Sequence, residues 1–84
     1  MNLQQLRYLH EIVKNDLSIS AAAGVLFTSQ PGISKQIKLL EEELGIEIFV
    51  RNGKRLAALT EPGKAIVEVA ERIRSTVARH SFRV

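Results

Sequence analysis

The chain has 84 residues, 45% of them hydrophobic and 25% charged, with no cysteine, a formal net charge of +3 and a pI near 9.7. That length makes one small module with a modest core. Disulfide frameworks and thiolate metal sites are excluded, no apolar run approaches the ~20 residues of a membrane span, and the basic balance is compatible with a polyanionic partner. The opening Met1-Asn2-Leu3-Gln4-Gln5 lacks the basic and apolar regions of a signal peptide, so a cytoplasmic location is expected.

Asn2 followed by Gln5 reads as a capping box, and Leu6, Leu9, Ile12 and Val13 recur at helical spacing against polar Gln5, Arg7, His10, Glu11 and Lys14. A first amphipathic helix is therefore predicted over residues 3–14. Asn15-Asp16 breaks the pattern. Ser18 then stands as an N-cap for a short second helix with Ile19, Ala22, Ala23 and Leu26 on one face, its alanines small enough for another helix to approach closely.

Thr28-Ser29-Gln30-Pro31 predicts a turn into a third helix, with Ser29 at the cap and Pro31 in the first turn, where a missing N–H costs nothing. Ile33, Ile37, Leu40 and Leu44 make its apolar stripe, and Gly45 has the residue type of a helix stop. Ile46 to Val50 and Leu56 to Leu59 read as two strands, with Asn52-Gly53 as the hairpin signal between them. Thr60 caps a final helix. Its stripe is Ile66, Ala70, Ile73 and Val77, spaced 4, 3 and 4, with Val69 beside it and Glu68, Arg72 and Arg74 outside.

Helix, short helix, tight turn, longer helix and hairpin is the order of a winged helix-turn-helix, in which the third helix enters the DNA major groove. Charge is placed to match. Residues 28–40 carry Lys35 and Lys38 and no acid, residues 51–55 carry Arg51, Lys54 and Arg55 and no acid, and Glu41-Glu42-Glu43 closes the other end of the third helix. Ser29, Gln30, Ser34, Lys35 and Lys38 are groups that donate to phosphates or read base edges. Charge pattern alone leaves two readings open: a DNA-facing surface, or polar residues that merely solvate a helix.

The strings Ser18-Ile19-Ser20-Ala21-Ala22-Ala23, Ser29-Gln30-Pro31-Gly32-Ile33-Ser34-Lys35-Gln36-Ile37, Leu40-Glu41-Glu42-Glu43-Leu44-Gly45-Ile46 and Phe49-Val50-Arg51 resemble the signature of LysR-type transcriptional regulators. With Thr28 and the opening Leu3-Gln4-Gln5-Leu6-Arg7-Tyr8, the chain is similar in particular to the CysB/Cbl subgroup, which regulates sulfur assimilation and cysteine biosynthesis.

The resemblance implies a mainly α fold: a winged helix-turn-helix of three helices and a two-stranded wing over residues 1–59, then a dimerisation linker helix over 60–84 leading to an effector domain outside this sequence. It implies double-stranded promoter DNA as partner, a homodimer, a tetramer for the full-length protein, and RNA polymerase as a further partner. It also implies no cofactor within this chain and an acetylserine-type co-inducer bound by the effector domain. Gln30, Pro31, Ser34 and Lys35 would face the major groove, Lys54 or Arg55 the flanking minor groove, with Ser29, Lys38 and Arg51 completing the expected DNA surface. Ile66, Val69, Ala70, Ile73 and Val77 would form the dimer seam. Two departures from the wider family are Lys35, which lacks the planar fork of the usual arginine, and Glu61-Pro62-Gly63, where proline stands one place later than usual.

An enzyme is the first rival. His10 and His80 are the only histidines, nothing supplies a nucleophile with a base or a metal ligand set, and both histidines read as exposed helix residues, the three glutamates as a solvated face. The second rivals are a regulator of another regulon and a winged-helix module for protein association, since that fold does not guarantee DNA binding.

Overall fold

In a computed structural model the chain is described over residues 1–81, so the part of the final-helix expectation covering 82–84 lies outside the described residues. Asn2 Oδ1 accepts from Gln5 N at 2.8 Å and Gln5 Oε1 accepts from Asn2 N at 3.2 Å, the reciprocal cap that starts α1 (Leu3–Lys14). Ser18 and Ser29 cap α2 (Ile19–Leu26) and α3 (Gln30–Leu44) by accepting from Ala21 N and Gly32 N. Gly45 ends α3 at φ +69°, a left-handed position that favours glycine. The antiparallel pair β1 (Phe49–Asn52) and β2 (Arg55–Leu59) forms the wing, and α4 (Glu61–Ser81) closes the order.

Leu6, Leu9, Ile12, Ala22, Ala23, Ile33, Ile37, Leu40, Ile48 and Phe49 form the core with Ala70 of α4. The apolar spacing read in α1 and α3 is thus the packing surface of the three-helix body. Two residues assigned to the polar side of α1 turn inward. Gln5 is buried, its Nε2 donating to Gln36 Oε1 at 3.3 Å, and Glu11 is buried as well.

The first strand starts three residues later than its β-rich sequence predicts. Gly45 N and Ile46 N are taken by the carbonyls of Glu42 and Glu41, Ile48 N by the Glu41 carboxylate, and Ile48 O by Thr60 N at 3.0 Å. These groups are lost to a ladder. The hairpin turn is also displaced by one: Asn52 pairs with Arg55, leaving Gly53-Lys54 as the loop, with Gly53 at φ +63°, and a glycine at the first central position is what a type II′ turn requires. Ala57 is the extra residue where the register shifts, a bulge in β2.

Three non-glycine residues hold positive φ: Asp16 (56°), Leu17 (65°) and Phe27 (54°). These mark the tight corners on either side of α2, at about 1–2 kcal/mol for each L-residue so held. Asn15-Asp16 flagged the first corner; nothing about Phe27, which ends α2 and is 96% exposed, advertised the second.

Candidate nucleic-acid interface

The wing folds back beside the start of α3. Gln30, Lys54, Arg55, Asn52, Ser18 and Ser20 line one cleft of about 450 Å³, together with Asp16 as its one acidic group. Gln30 and Lys54 are shared with an adjoining hollow lined by Ile19, Pro31 and Ser34. Residues 24 apart in sequence therefore share one continuous surface, with exposed Gln30, Pro31, Ser34, Lys54 and Arg55 on it. Pro31 has no N–H and Gly32 N is capped by Ser29 Oγ, so what the start of α3 offers a phosphate backbone is its positive dipole end, beside side chains that donate to bases.

Other expected DNA residues are placed differently. Ser29 is exposed and its hydroxyl caps α3, and Lys35 is exposed but lines neither hollow. Lys38 and Arg51 stand in a further hollow, joined to that surface through Ser34 but shared with Glu41, Glu42 and Glu47. Arg51 donates to Glu41 at 2.8 Å, so its charge is engaged within the protein. Ser18, Ser20 and Asn52 were not singled out as site residues; the Ser-Ile-Ser pattern at the second cap was the signal for two of them.

The glutamate run is not simply a solvated face. Glu41, with a side chain only 11% exposed, accepts from Ile48 N at 2.7 Å and Phe49 N at 3.4 Å as well as from Arg51. It joins the end of α3 to the root of the wing. Glu43 pairs with the Met1 amine, and Glu42 is exposed. Replacing Glu41 by alanine strands two amides at a buried turn, and an unsatisfied buried donor costs about 1–3 kcal/mol. A loss of about 2–3 kcal/mol is expected, with faster hydrogen exchange at the Ile48 and Phe49 amides; unchanged exchange there would show that the carboxylate does not hold the wing.

His10 likewise departs from expectation. It is half-buried, and its Nδ1 lies 2.5 Å from Glu71 Oε1 on α4, whereas His80 is exposed with Nδ1 donating to Thr76 O at 2.8 Å. Among the described residues there is no group of three or more His, Cys, Asp or Glu arranged to hold a metal ion, and no helix long and apolar enough to cross a membrane.

The stripe on α4, expected to be continuous, divides. Ala70 is 1% exposed and belongs to the core, which removes it from any seam. Ile66 and Ile73 are half-buried against that core, and Val69 and Val77 are 40% and 41% exposed. Val69, Ile73 and Val77 line a shallow, mostly apolar groove with Arg72 and Thr76. The inward side of α4 completes the winged body, and the outward side leaves apolar area uncovered.

Residues 3–64 match the model of the family described as bacterial regulatory helix-turn-helix protein, lysR family. The chain is 56% identical over 73 residues to the HTH-type transcriptional regulator SsuR of Burkholderia cenocepacia, covering 87% of this chain and 24% of that protein. Over the same share of this chain it is 56% identical to the regulator Cbl of Escherichia coli and 52% identical to CysB of Haemophilus influenzae, each covered over 23% of its length. It thus spans about a quarter of the curated relatives it matches. A crystal structure of the CbnR DNA-binding domain in complex with DNA superimposes with a TM-score of 0.88 at 35% identity, covering 99% of this chain and 93% of that one. The winged helix-turn-helix read from the sequence is the fold observed, and the chain belongs to the lysR family of bacterial regulatory helix-turn-helix proteins, within its CysB/Cbl-like subgroup.

Proposed function

We propose that this chain is the operator-binding part of a dimeric transcriptional regulator of sulfur-assimilation and cysteine-biosynthesis genes. The observation that carries the reading is the shared surface of Gln30, Pro31 and Ser34 on α3 with Lys54 and Arg55 on the wing. In this reading Gln30 and Ser34 read base edges from the major groove, Ser29 and Lys35 contact the adjoining backbone, and Lys54 and Arg55 hold the flanking phosphates and minor groove. Lys38 and Arg51 are assigned supporting roles at the edge, because three glutamates share their cleft. Likeness to the CbnR domain crystallised with DNA supports the partner, and the names SsuR, Cbl and CysB support the regulon.

The chain recognises rather than catalyses. Residues 1–59 act as the DNA-binding unit and residues 60–84 as the linker, whose helix α4 pairs two copies through Val69, Ile73 and Val77. In the full-length regulator a further domain binds an acetylserine-type co-inducer, two dimers assemble into a tetramer, and RNA polymerase is contacted from the promoter. The target places the protein in the cytoplasm.

Gel shifts on fragments upstream of cysteine-biosynthesis genes, over a salt series, test this reading. Gln30→Ala is expected to weaken operator binding about 5- to 100-fold and random-sequence binding far less, as a base contact is worth ~1–3 kcal/mol. Lys54→Ala should weaken both alike and lower the salt slope by about one for each phosphate that a subunit no longer neutralises. Affinity indifferent to salt would favour a protein-association module instead.

A further inference from the structure

Besides its apolar packing on the core, α4 is tied to the body by polar contacts at two places. At its start, Thr60 N donates to Ile48 O at 3.0 Å and Thr60 Oγ1 donates to Glu47 O at 2.5 Å. Eleven residues later, Glu71 Oε1 accepts from His10 Nδ1 of α1 at 2.5 Å, the side chains being 44% and 26% exposed. A carboxylate is an acceptor only, so the ring nitrogen facing it must carry the proton. The other ion pairs on α4, Lys64 with Glu61 and Arg72 with Glu68, stay within the helix. Between these anchors Gly63 and Ala70 are buried and Ile66 and Val67 pack half-buried against the core, so every other contact there is apolar or backbone. Apolar contact is non-directional; a hydrogen bond is directional. Beyond Arg74, residues 75–80 are all exposed, so the end of the helix has its direction set upstream.

We propose that His10 and Glu71 form a latch that fixes the angle at which α4 leaves the winged body, and that this angle selects the half-site separation the dimer reads. The second clause rests on the dimeric DNA-binding function proposed above. Val77 lies roughly 25 Å along the helix from Thr60, so a swing of about 10° about the Thr60 anchor moves it by about 4 Å. One base-pair step rises ~3.4 Å. A loose latch would therefore blur the separation of two recognition helices by about a base pair, while leaving each one's grip on its own half-site in place. Both residues are thus positioning residues, remote from the DNA surface.

The test has two readouts. The chain has no native cysteine, so spin labels at Ala58→Cys on the wing and Ser75→Cys on α4, diluted with unlabelled chain, report the angle as an intramolecular distance distribution without DNA. His10→Ala and Glu71→Ala are expected to broaden it about twofold at unchanged circular dichroism, and His10→Lys, which restores a donor to Glu71, should narrow it again. On palindromic probes differing by single base pairs in half-site spacing, the parent's preference of about tenfold for one spacing should fall to about twofold in His10→Ala and Glu71→Ala. A distribution unchanged in both variants overturns the latch, and a broadened one with an unchanged spacing profile overturns the selection of spacing. A parent chain that binds no palindromic probe refutes the operator-binding function instead, a failure the distance measurement makes separately visible.

Discussion

A Gly63→Ala chain is expected to lose about 3 kcal/mol of stability, with a fall in Tm on the order of 15 °C for a domain of this size. Gly63 is buried in the first turn of α4, and a Cβ there would sit 2.1 Å from Ile48 O and 3.0 Å from Thr60 Oγ1. The obstacle is backbone, so rotation of a side chain cannot relieve it. The same carbonyl accepts from Thr60 N, and Gly63 N donates to Thr60 Oγ1 at 2.9 Å, so moving apart breaks the joint between wing root and helix. Alanine's helix propensity offsets about 1 kcal/mol of the strain, too little to reverse the sign. Gly24→Ala is the control. It adds a Cβ that meets nothing within 4 Å in the middle of α2, and should raise stability by about 0.5–1 kcal/mol. Thermal melts followed by circular dichroism compare the two directly; a Gly63→Ala loss below 1 kcal/mol would mean that α4 can back away from the Ile48 carbonyl at little cost.

Gly63 also shows where sequence stopped being sufficient. Helix positions were legible because each has a local signal: the Asn2–Gln5 box, the Ser18, Ser29 and Thr60 caps, and Gly45, all realised at the expected residues. Apolar periodicity likewise pointed Leu6, Leu9, Ile33, Ile37 and Leu40 inward. The failures are contacts between one element and another. Glu41 belongs to a run that reads as surface until the chain, seven residues on, brings Ile48 N back to it. His10 meets Glu71 across 61 residues. The β-branched stretch Ile46–Ile48 has strand propensity, yet its polar groups are claimed by α3 and Thr60, and tertiary demand overrides propensity. The expected DNA residues were legible as types, but only folding separates Lys54, beside Gln30, from Arg51, spent on Glu41.

Val77→Glu is expected to leave the chain folded and to weaken self-association on the order of a thousandfold, with a comparable loss of binding to a palindromic operator. Val77 is 41% exposed, past the part of α4 that packs on the body, and lines the groove with Val69 and Ile73. Its replacement leaves the core untouched, and surface substitutions of this kind usually shift stability by less than about 0.5 kcal/mol. Ile73→Glu would be a poorer test, since Ile73 also packs against the core and its loss confounds unfolding with dissociation. In a two-fold dimer each substitution appears twice. Burying an unpaired carboxylate costs several kcal/mol, so even partial exposure makes about 4 kcal/mol a reasonable total, or roughly three powers of ten in the dimer constant. Binding to a palindrome falls with it, because the second recognition helix is no longer delivered at the high effective concentration that linkage supplies. A single half-site probe should lose little. Ser75→Glu, exposed and about 200° around the helix from Val77, supplies the same charge away from the groove and should remain dimeric. Sedimentation velocity on the two variants decides the matter: if Val77→Glu sediments as a folded dimer like Ser75→Glu, the seam is not the Val69–Val77 groove.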